Sequence, residues 1–329
     1  MTGSPTRIIV TVTPNPSLDR TVEIPELIPG AVLRATAHRV DPGGKGVNVS
    51  RVLARFGRPT LAIMPGGAGE LATLLRRAGV QPVSTPADGT TRVNTALVEP
   101  GGVTTKVNEP GVALTAAQVD ALVDTVRVHA APADWVVTAG SVPVGAPVDL
   151  HGRIVEAARA AGARVAVDTS GDALRAAVAA GPDLIKPNVA ELAELVGHPL
   201  PRLADVLAAA RDLVAGGIGT VLVSMGASGA LVVDGADDGA AWHTAGLPTP
   251  VRSTVGAGDS TLAGYLIAIT EGRAGDVKPP DALVHAVACG AAAVGLPGTA
   301  VPGPADVDLS HVRPASAPDA TLDLTGEAA

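Results

Sequence analysis

Short runs of β-branched and aliphatic residues recur at residues 7–12, 134–137, 164–167, 183–185, 220–223 and 230–233. Each has the length of one strand and is too short to cross a membrane. Between most of them the hydrophobic period lengthens to that of a helix. Val49, Val52, Leu53 and Phe56 fall at i, i+3, i+4 and i+7, with Gly57 placed to end the helix, and Leu262, Tyr265, Leu266 and Ile269 repeat the spacing. Both segments read as amphipathic helices. Strands alternating with helices imply a mainly parallel sheet covered on both faces, a three-layer α/β/α sandwich.

Residues 13–40 and 90–111 break this rhythm. They alternate apolar and polar positions, carry prolines and glycines and offer no helical face, so they read as paired strands standing off the main sheet. No repeat and no linker divides the chain, so residues 1–312 read as one domain. The Ala/Pro/Asp/Thr-rich stretch 313–329 is expected to be a flexible tail.

Composition narrows the function classes. The 329 residues carry 24 Lys+Arg against 32 Asp+Glu, a net charge of −8, which argues against a nucleic-acid partner. The polar start is followed by too few apolar residues for a signal peptide, and no run is long enough for a membrane span. Cys289 is the only cysteine, which excludes an intramolecular disulfide and Cys-rich metal sites and fits a reducing cytoplasm. Phe56, Trp135, Trp242 and Tyr265 are the whole aromatic set, so recognition is expected to be polar or backbone-based. The seven histidines show no metal spacing and are given no role, and most are expected on the surface or in helices.

The most informative segment is Gly256-Ala257-Gly258-Asp259, which opens the second helix. Two glycines let the backbone turn so that the first amides of the helix converge with the positive end of its dipole, an anion hole. A carboxylate on that first turn can take a proton from a hydroxyl attacking a phosphoryl group, although an acidic residue there also serves as a simple cap. A second glycine cluster, Gly43-Gly44-Lys45-Gly46-Val47-Asn48, opens the first helix with Lys45 and Asn48 as side-chain donors. It lacks the spacing of a Walker A loop, and no Rossmann fingerprint follows the first strand. Asn188 and Glu191 lie three apart at a helix start, able to hold a hydrated magnesium or to cap each other. Ser224 to Gly229 reads most simply as a hairpin turn.

In combination, Asn15-Pro-Ser-Leu-Asp19, the Gly43 cluster, Thr91-Arg-Val-Asn94, Gly140-Ser-Val-Pro143, Asp168-Thr-Ser-Gly171, Lys186-Pro-Asn188 and Gly256-Ala-Gly-Asp259 resemble the ribokinase-like PfkB family of sugar kinases, most closely its 1-phosphofructokinase branch. The resemblance implies a ribokinase-like sandwich with the two off-sheet stretches as a small β-sheet lid. It implies Asp259 as catalytic base and the amides of Gly256, Ala257 and Gly258 as the anion hole. Asp19, Gly43, Gly44, Lys45, Asn48 and Asn94 would hold the acceptor sugar, with Arg92 on its existing phosphate and Ser141 lining the same pocket. Arg92 suits that role chemically, since a planar guanidinium can meet two phosphate oxygens at once. Lys186, Asn188, Ser224, Gly226 and Gly229 would flank ATP, and Glu191 would order Mg2+ through water. The implied reaction is transfer from MgATP to the C6 hydroxyl of fructose 1-phosphate. Tagatose 6-phosphate and fructose 6-phosphate are the alternative acceptors, and a non-catalytic sugar-phosphate sensor is the alternative class. An unpaired lid face further implies a homodimer through the lid.

Overall fold

The computed structural model describes residues 8–271, 277–316 and 318–327. Arg7, the expected first strand residue, lies outside them. The chain begins with β1 (Ile8–Val12), leaves the main body for β2 (Ser17–Glu23) and β3 (Ala37–Gly43), and returns through α1 (Lys45–Arg55). Strand β4 (Thr60–Pro65), helix α2 (Glu70–Arg77) and strand β5 (Gln81–Thr85) precede a second excursion, β6 (Arg92–Val98) and β7 (Thr104–Asn108). Alternation then resumes with α3 (Ala116–Ala130), β8 (Ala133–Ala139), α4 (Leu150–Ala160), β9 (Arg164–Asp168), α5 (Gly171–Ala179), β10 (Leu184–Ile185), α6 (Val189–Val196) and α7 (Leu203–Ala215). A meander of β11 (Thr220–Ser224), β12 (Ala230–Asp234) and β13 (Ala240–Thr244) leads to the last helices, α8 (Ala257–Glu271) and α9 (Pro279–Val294).

The main sheet runs β13-β12-β11-β10-β9-β8-β1-β4-β5 and is antiparallel only at β11–β12 and β12–β13. Strand alternation sorts its side chains onto two faces. Val10, Val12, Val165 and Val167 face one core with α3 to α7, while Ile9, Val137, Ala166 and Leu222 face another with α1, α8 and α9. The result is the expected three-layer sandwich. The two off-sheet stretches form a separate sheet, β3-β2-β6-β7, in which β2 and β6 run parallel.

Several elements depart from the pattern reading. Strands β4, β5 and β13 were not foreseen, because Ala, Met, Pro, Gln and Trp dilute their β-branched content. Helix α8 is not amphipathic: Ala263, Gly264, Ile267 and Ala268 are buried as well as Leu262, Tyr265 and Leu266. It lies under α9, and Gly264 admits the His285 carbonyl and the Cys289 side chain so closely that a Cβ would clash. His243 is buried on β13, neither surface nor helical.

The tail is also packed where it is described, against the expectation of flexibility. Ala315 exchanges two main-chain hydrogen bonds with His243, Leu203 N donates to the Leu322 carbonyl, and Leu324 is fully buried in the α3–α7 core. Sparse apolar residues hid this: Leu322 and Leu324 supply the contact, and Asp323 between them faces solvent. Leu324→Ala should therefore cost about 2–4 kcal/mol in denaturant unfolding, the usual loss for emptying a buried leucine site. A neutral result would mean that the tail does not pack.

The order of the main sheet reverses between β1 and β8. From β1 the chain builds outward through β4 to β5, and from β8 outward through β9, β10 and β11. Loops leaving the carboxyl ends of two such diverging strands leave a crevice between them, the usual ligand position in open α/β sheets. The lid strands β2 and β3 follow β1 at that place, and β6 and β7, which follow β5, join them through the β2–β6 pairing.

Candidate active site

The loops after β1 and β8 meet across the crevice, where Asn15 Nδ2 donates to Ser141 Oγ at 3.1 Å. The turn after β8 is braced from behind. His151, fully buried on α4, touches Thr138 Oγ1 at 2.7 Å and the Gly140 carbonyl at 3.0 Å, and burial pushes its imidazole down to about 4, so it stays neutral.

Asp168, at the end of β9, is the centre of the charged cluster. Its carboxylate is 1% exposed and sits between Lys45 Nζ at 2.8 Å and Lys186 Nζ at 3.2 Å. Burial alone would raise its pKa, but the two ammonium groups outweigh burial and hold it below the ordinary carboxylate range. Lys45 likewise resists the lowering effect of burial, because Asp168 and Glu191 hold it in the charged form. A Cβ on Gly258 would lie 3.3 Å from Lys186 Nζ, so this ammonium stands beside the first amides of α8.

Gly256, at φ +76°, turns the chain into α8 and presents the helix start to the hollow. The first amides of a helix lack an intrahelical partner; here Ala257 N donates to the Thr254 carbonyl at 3.4 Å, and Gly256 and Gly258 line the hollow together with Lys45 and Lys186. Asp259, one step further along, accepts a 2.8 Å bond from Asn48 Nδ2. Burial, and next the nearby Asp168 charge, push its carboxyl up to about 6. Asn48 is aimed in turn by Arg51, which donates to Asn48 Oδ1 at 3.1 Å from one helical turn on. Sequence reasoning assigned no role to Asp168 or Arg51. Asp168 was visible only as part of a motif, and the i, i+3 spacing of Asn48 and Arg51 was the available signal for the second.

Asn188 and Glu191 cap each other, with Asn188 Oδ1 accepting from Glu191 N at 2.8 Å and Glu191 Oε2 accepting from Asn188 N at 2.9 Å. Glu191 Oε1 faces the hollow, 3.5 Å from Lys45 Nζ. Among the described residues no group of three or more His, Cys, Asp or Glu side chains can hold a metal. A lone carboxylate at the rim suits magnesium that keeps its water and is carried mainly by phosphates.

The lid contributes a second group. Asp19 on β2 accepts from Asn94 Nδ2 on β6 at 3.1 Å and from Ser17 Oγ at 2.8 Å. A Cβ on Gly43 would collide with the Asp19 carboxylate, so any larger residue there would displace it. Asn94 Oδ1 is buried with no partner, an acceptor waiting for a donor. Arg92 is not among the residues that line the hollow around Lys45, Lys186 and Asp259. It donates to the carbonyls of Asn15, Pro16 and Glu109, stapling β6 to the loop after β1.

The charged hollow, about 460 Å³, opens into a neighbouring one of about 520 Å³, and both include Ser224, Thr254 and Gly258 in their walls. Gly226 and Gly229, from the turn joining the β11–β12 hairpin, line the larger one. Its remaining walls include Leu247, Val251, Val287 and Val294, an aliphatic lining that the lack of aromatic residues had argued against.

This chain is similar to known kinases along most of its length. The sequence model of the pfkB family of carbohydrate kinases matches residues 15–306. The 1-phosphofructokinase of Rhodobacter capsulatus is 43% identical over 80% of this chain and 84% of its own. The ATP-dependent 6-phosphofructokinase isozyme 2 of Escherichia coli strain K12 is 37% identical over 80% of this chain and 86% of its own. The crystal structure of phosphofructokinase-2 from Escherichia coli in complex with substrates and products superposes with a TM-score of 0.83 at 34% identity, covering 91% of this chain and 96% of that one.

The raised Asp259 carboxyl has a stability consequence. Its folded pKa lies above the 3.8 of an unfolded aspartate, so the folded state is favoured at low pH and loses that advantage as pH rises through about 6. Asp259→Asn should therefore be more stable than the parent at pH 8, by about 1–3 kcal/mol, with the gain nearly gone by pH 4. Urea unfolding at the two pH values checks this, and a variant destabilised at pH 8 would contradict the burial argument.

Proposed function

The chain belongs to the pfkB family of carbohydrate kinases and is an ATP-dependent phosphosugar kinase, and on that footing we propose that it phosphorylates the C6 hydroxyl of fructose 1-phosphate, giving fructose 1,6-bisphosphate and ADP. The observation that carries the reading is the meeting of a buried carboxylate, two ammonium groups and a helix start in one hollow. The higher identity to a 1-phosphofructokinase than to a 6-phosphofructokinase supports the choice of acceptor.

Nucleotide fills the larger hollow, with its base between the aliphatic walls and its phosphates reaching past Ser224, Gly226 and Gly229 toward Lys186 and Asn188. The sugar lies under the lid, with hydroxyls on Asp19, Asn94, Asn48 and the Gly43-Gly44 turn. Its existing phosphate sits near Ser141, where Arg92 has N–H groups left on its terminal nitrogens. Asp259 takes the proton of the attacking hydroxyl as the oxygen meets the terminal phosphorus and the bond to ADP breaks. The amides of Gly256, Ala257 and Gly258, together with Lys45 and Lys186, meet the charge that develops on the transferred group. Magnesium would be held by Glu191 through water and would neutralise charge on the nucleotide's phosphates. Closing the lid excludes water and so limits idle hydrolysis of ATP. The same lid sheet, with Val107 exposed on β7 and Val103 exposed just before that strand, supports pairing with a second copy of the chain.

Steady-state assays with MgATP across fructose 1-phosphate, fructose 6-phosphate and tagatose 6-phosphate should give the highest kcat/KM for the first. A preference for fructose 6-phosphate would instead align the chain with the isozyme 2 type of relative. Binding of these sugars without any ADP release would make it a sensor. Asp259→Asn should lower kcat by ~10²–10⁴-fold, the range for a lost general base. The parent's kcat/KM should fall on the acid side with a midpoint near the pKa of about 6 that burial gives this carboxyl. Wild-type turnover in the variant would remove Asp259 from the reaction.

A further inference from the structure

The turn that lines the nucleotide hollow is gripped by a part of the chain beyond the stretch that the family's sequence model matches, which ends at residue 306. The half-buried Glu327 reaches the β11–β12 turn, where its Oε1 accepts from Ser228 N at 3.0 Å and from Ser228 Oγ at 3.1 Å. Its Oε2 lies against Gly226 so closely that a Cβ there would collide with it. The third polar group of Ser228 is also held, since its carbonyl accepts from His243 Nε2 at 2.9 Å. His243 is the residue whose main chain pairs with Ala315. One terminal segment therefore contacts both sides of the clamp, through a main-chain rung at Ala315 and a carboxylate at Glu327, with Leu324 anchored in the core between them.

Gly226 and Ala227 line the hollow and Glu327 does not, so the carboxylate supports the turn from its outer side. We infer that Glu327 is a positioning residue for nucleotide binding: the terminal segment is a strap whose carboxylate sets the Gly226–Gly229 turn in the shape that receives ATP. This rests on the assignment of the larger hollow to the nucleotide. The physical basis is that a short, glycine-bounded turn has many shapes open to it, and two hydrogen bonds to a carboxylate select one before the ligand arrives.

The test uses the full-length protein in two measurements. Calorimetric titration with ATP should show affinity falling on the order of tenfold in Glu327→Ala, while fructose 1-phosphate affinity and melting temperature stay close to the parent's. Glu327→Gln keeps an acceptor oxygen for Ser228 and should recover most of the loss. Amide hydrogen exchange on ligand-free protein should show the Ser228 amide exchanging faster in the alanine variant and close to parent in the glutamine variant. Parental ATP affinity or parental exchange in Glu327→Ala overturns the proposal, as does an equal weakening of both ligands with a lowered melting temperature. A parent that binds no ATP would sink the kinase reading itself, whereas the exchange result reports on the strap without any ligand.

Discussion

A carboxylate that is 1% exposed cannot stand alone in a protein interior, and the position of Asp168 between Lys45 and Lys186 is the constraint on which the rest of the site depends. The pairing works in both directions. It keeps Asp168 ionised at a depth where burial favours the neutral acid, and it fixes two ammonium groups that would otherwise range over several rotamers. Each lysine then stands at one wall of the hollow, Lys45 toward Glu191 and Lys186 toward Gly258. The same negative charge also acts on Asp259, adding to burial in raising its pKa. One buried ion therefore fixes both ammonium groups of the hollow and adds to the upward shift of the Asp259 carboxyl.

The fold puts these parts in one place for a topological reason. Asp168 ends β9, Lys186 follows β10, and Asn15 and Ser141 lie on the loops after β1 and β8, so they all emerge from the carboxyl edge of neighbouring parallel strands. Helices α1 and α8 enter from the opposite face of the sheet and bring Asn48 and Asp259 to the same edge, where they bond at 2.8 Å. The lid is the one component not supplied by the main sheet. It reaches the crevice because β2 and β6, drawn from two distant excursions, pair in parallel and set Asp19 opposite Asn94.

Much of this was legible in the sequence, and the gaps have physical causes. Buried parallel strands such as β1, β9 and β11 announce themselves as apolar runs, whereas β5 and β13 sit at the sheet's two ends and carry Pro, Gln, Trp or His among few β-branched residues. Helix α8 misled because Ala and Gly are neutral in a periodicity count yet bury completely when another helix lies over them. The Gly256–Asp259 segment was readable since a tight turn, a helix start and a carboxylate must be adjacent in sequence to act together. Asp168 drew no role because its partners lie 123 and 18 residues away and only the folded sheet brings them together. Arg92 shows the reverse limit. Its residue type suits a phosphate, but nothing local foretells that three main-chain carbonyls each take one of its N–H groups.

The pairing of Asn188 with Glu191 shows why a capping motif and a ligand site need not compete. A capping box uses one carboxylate oxygen of its glutamate, and here Oε2 is spent on the Asn188 amide. That bond freezes the side chain, so Oε1 is held toward the hollow without further cost in rotamer freedom, within 3.5 Å of Lys45. A glutamate free of the cap would lose that entropy on meeting a hydrated ion, and one using both oxygens in the cap would have nothing to offer. The same economy holds at Asp259, where a place on the first turn favoured for acidic residues by the helix dipole also sets the carboxylate in the wall of the hollow, bonded to Asn48. At these helix starts the residue types that stabilise a first turn are also those that a phosphoryl-transfer site needs, which is why spacing alone could not separate the two readings.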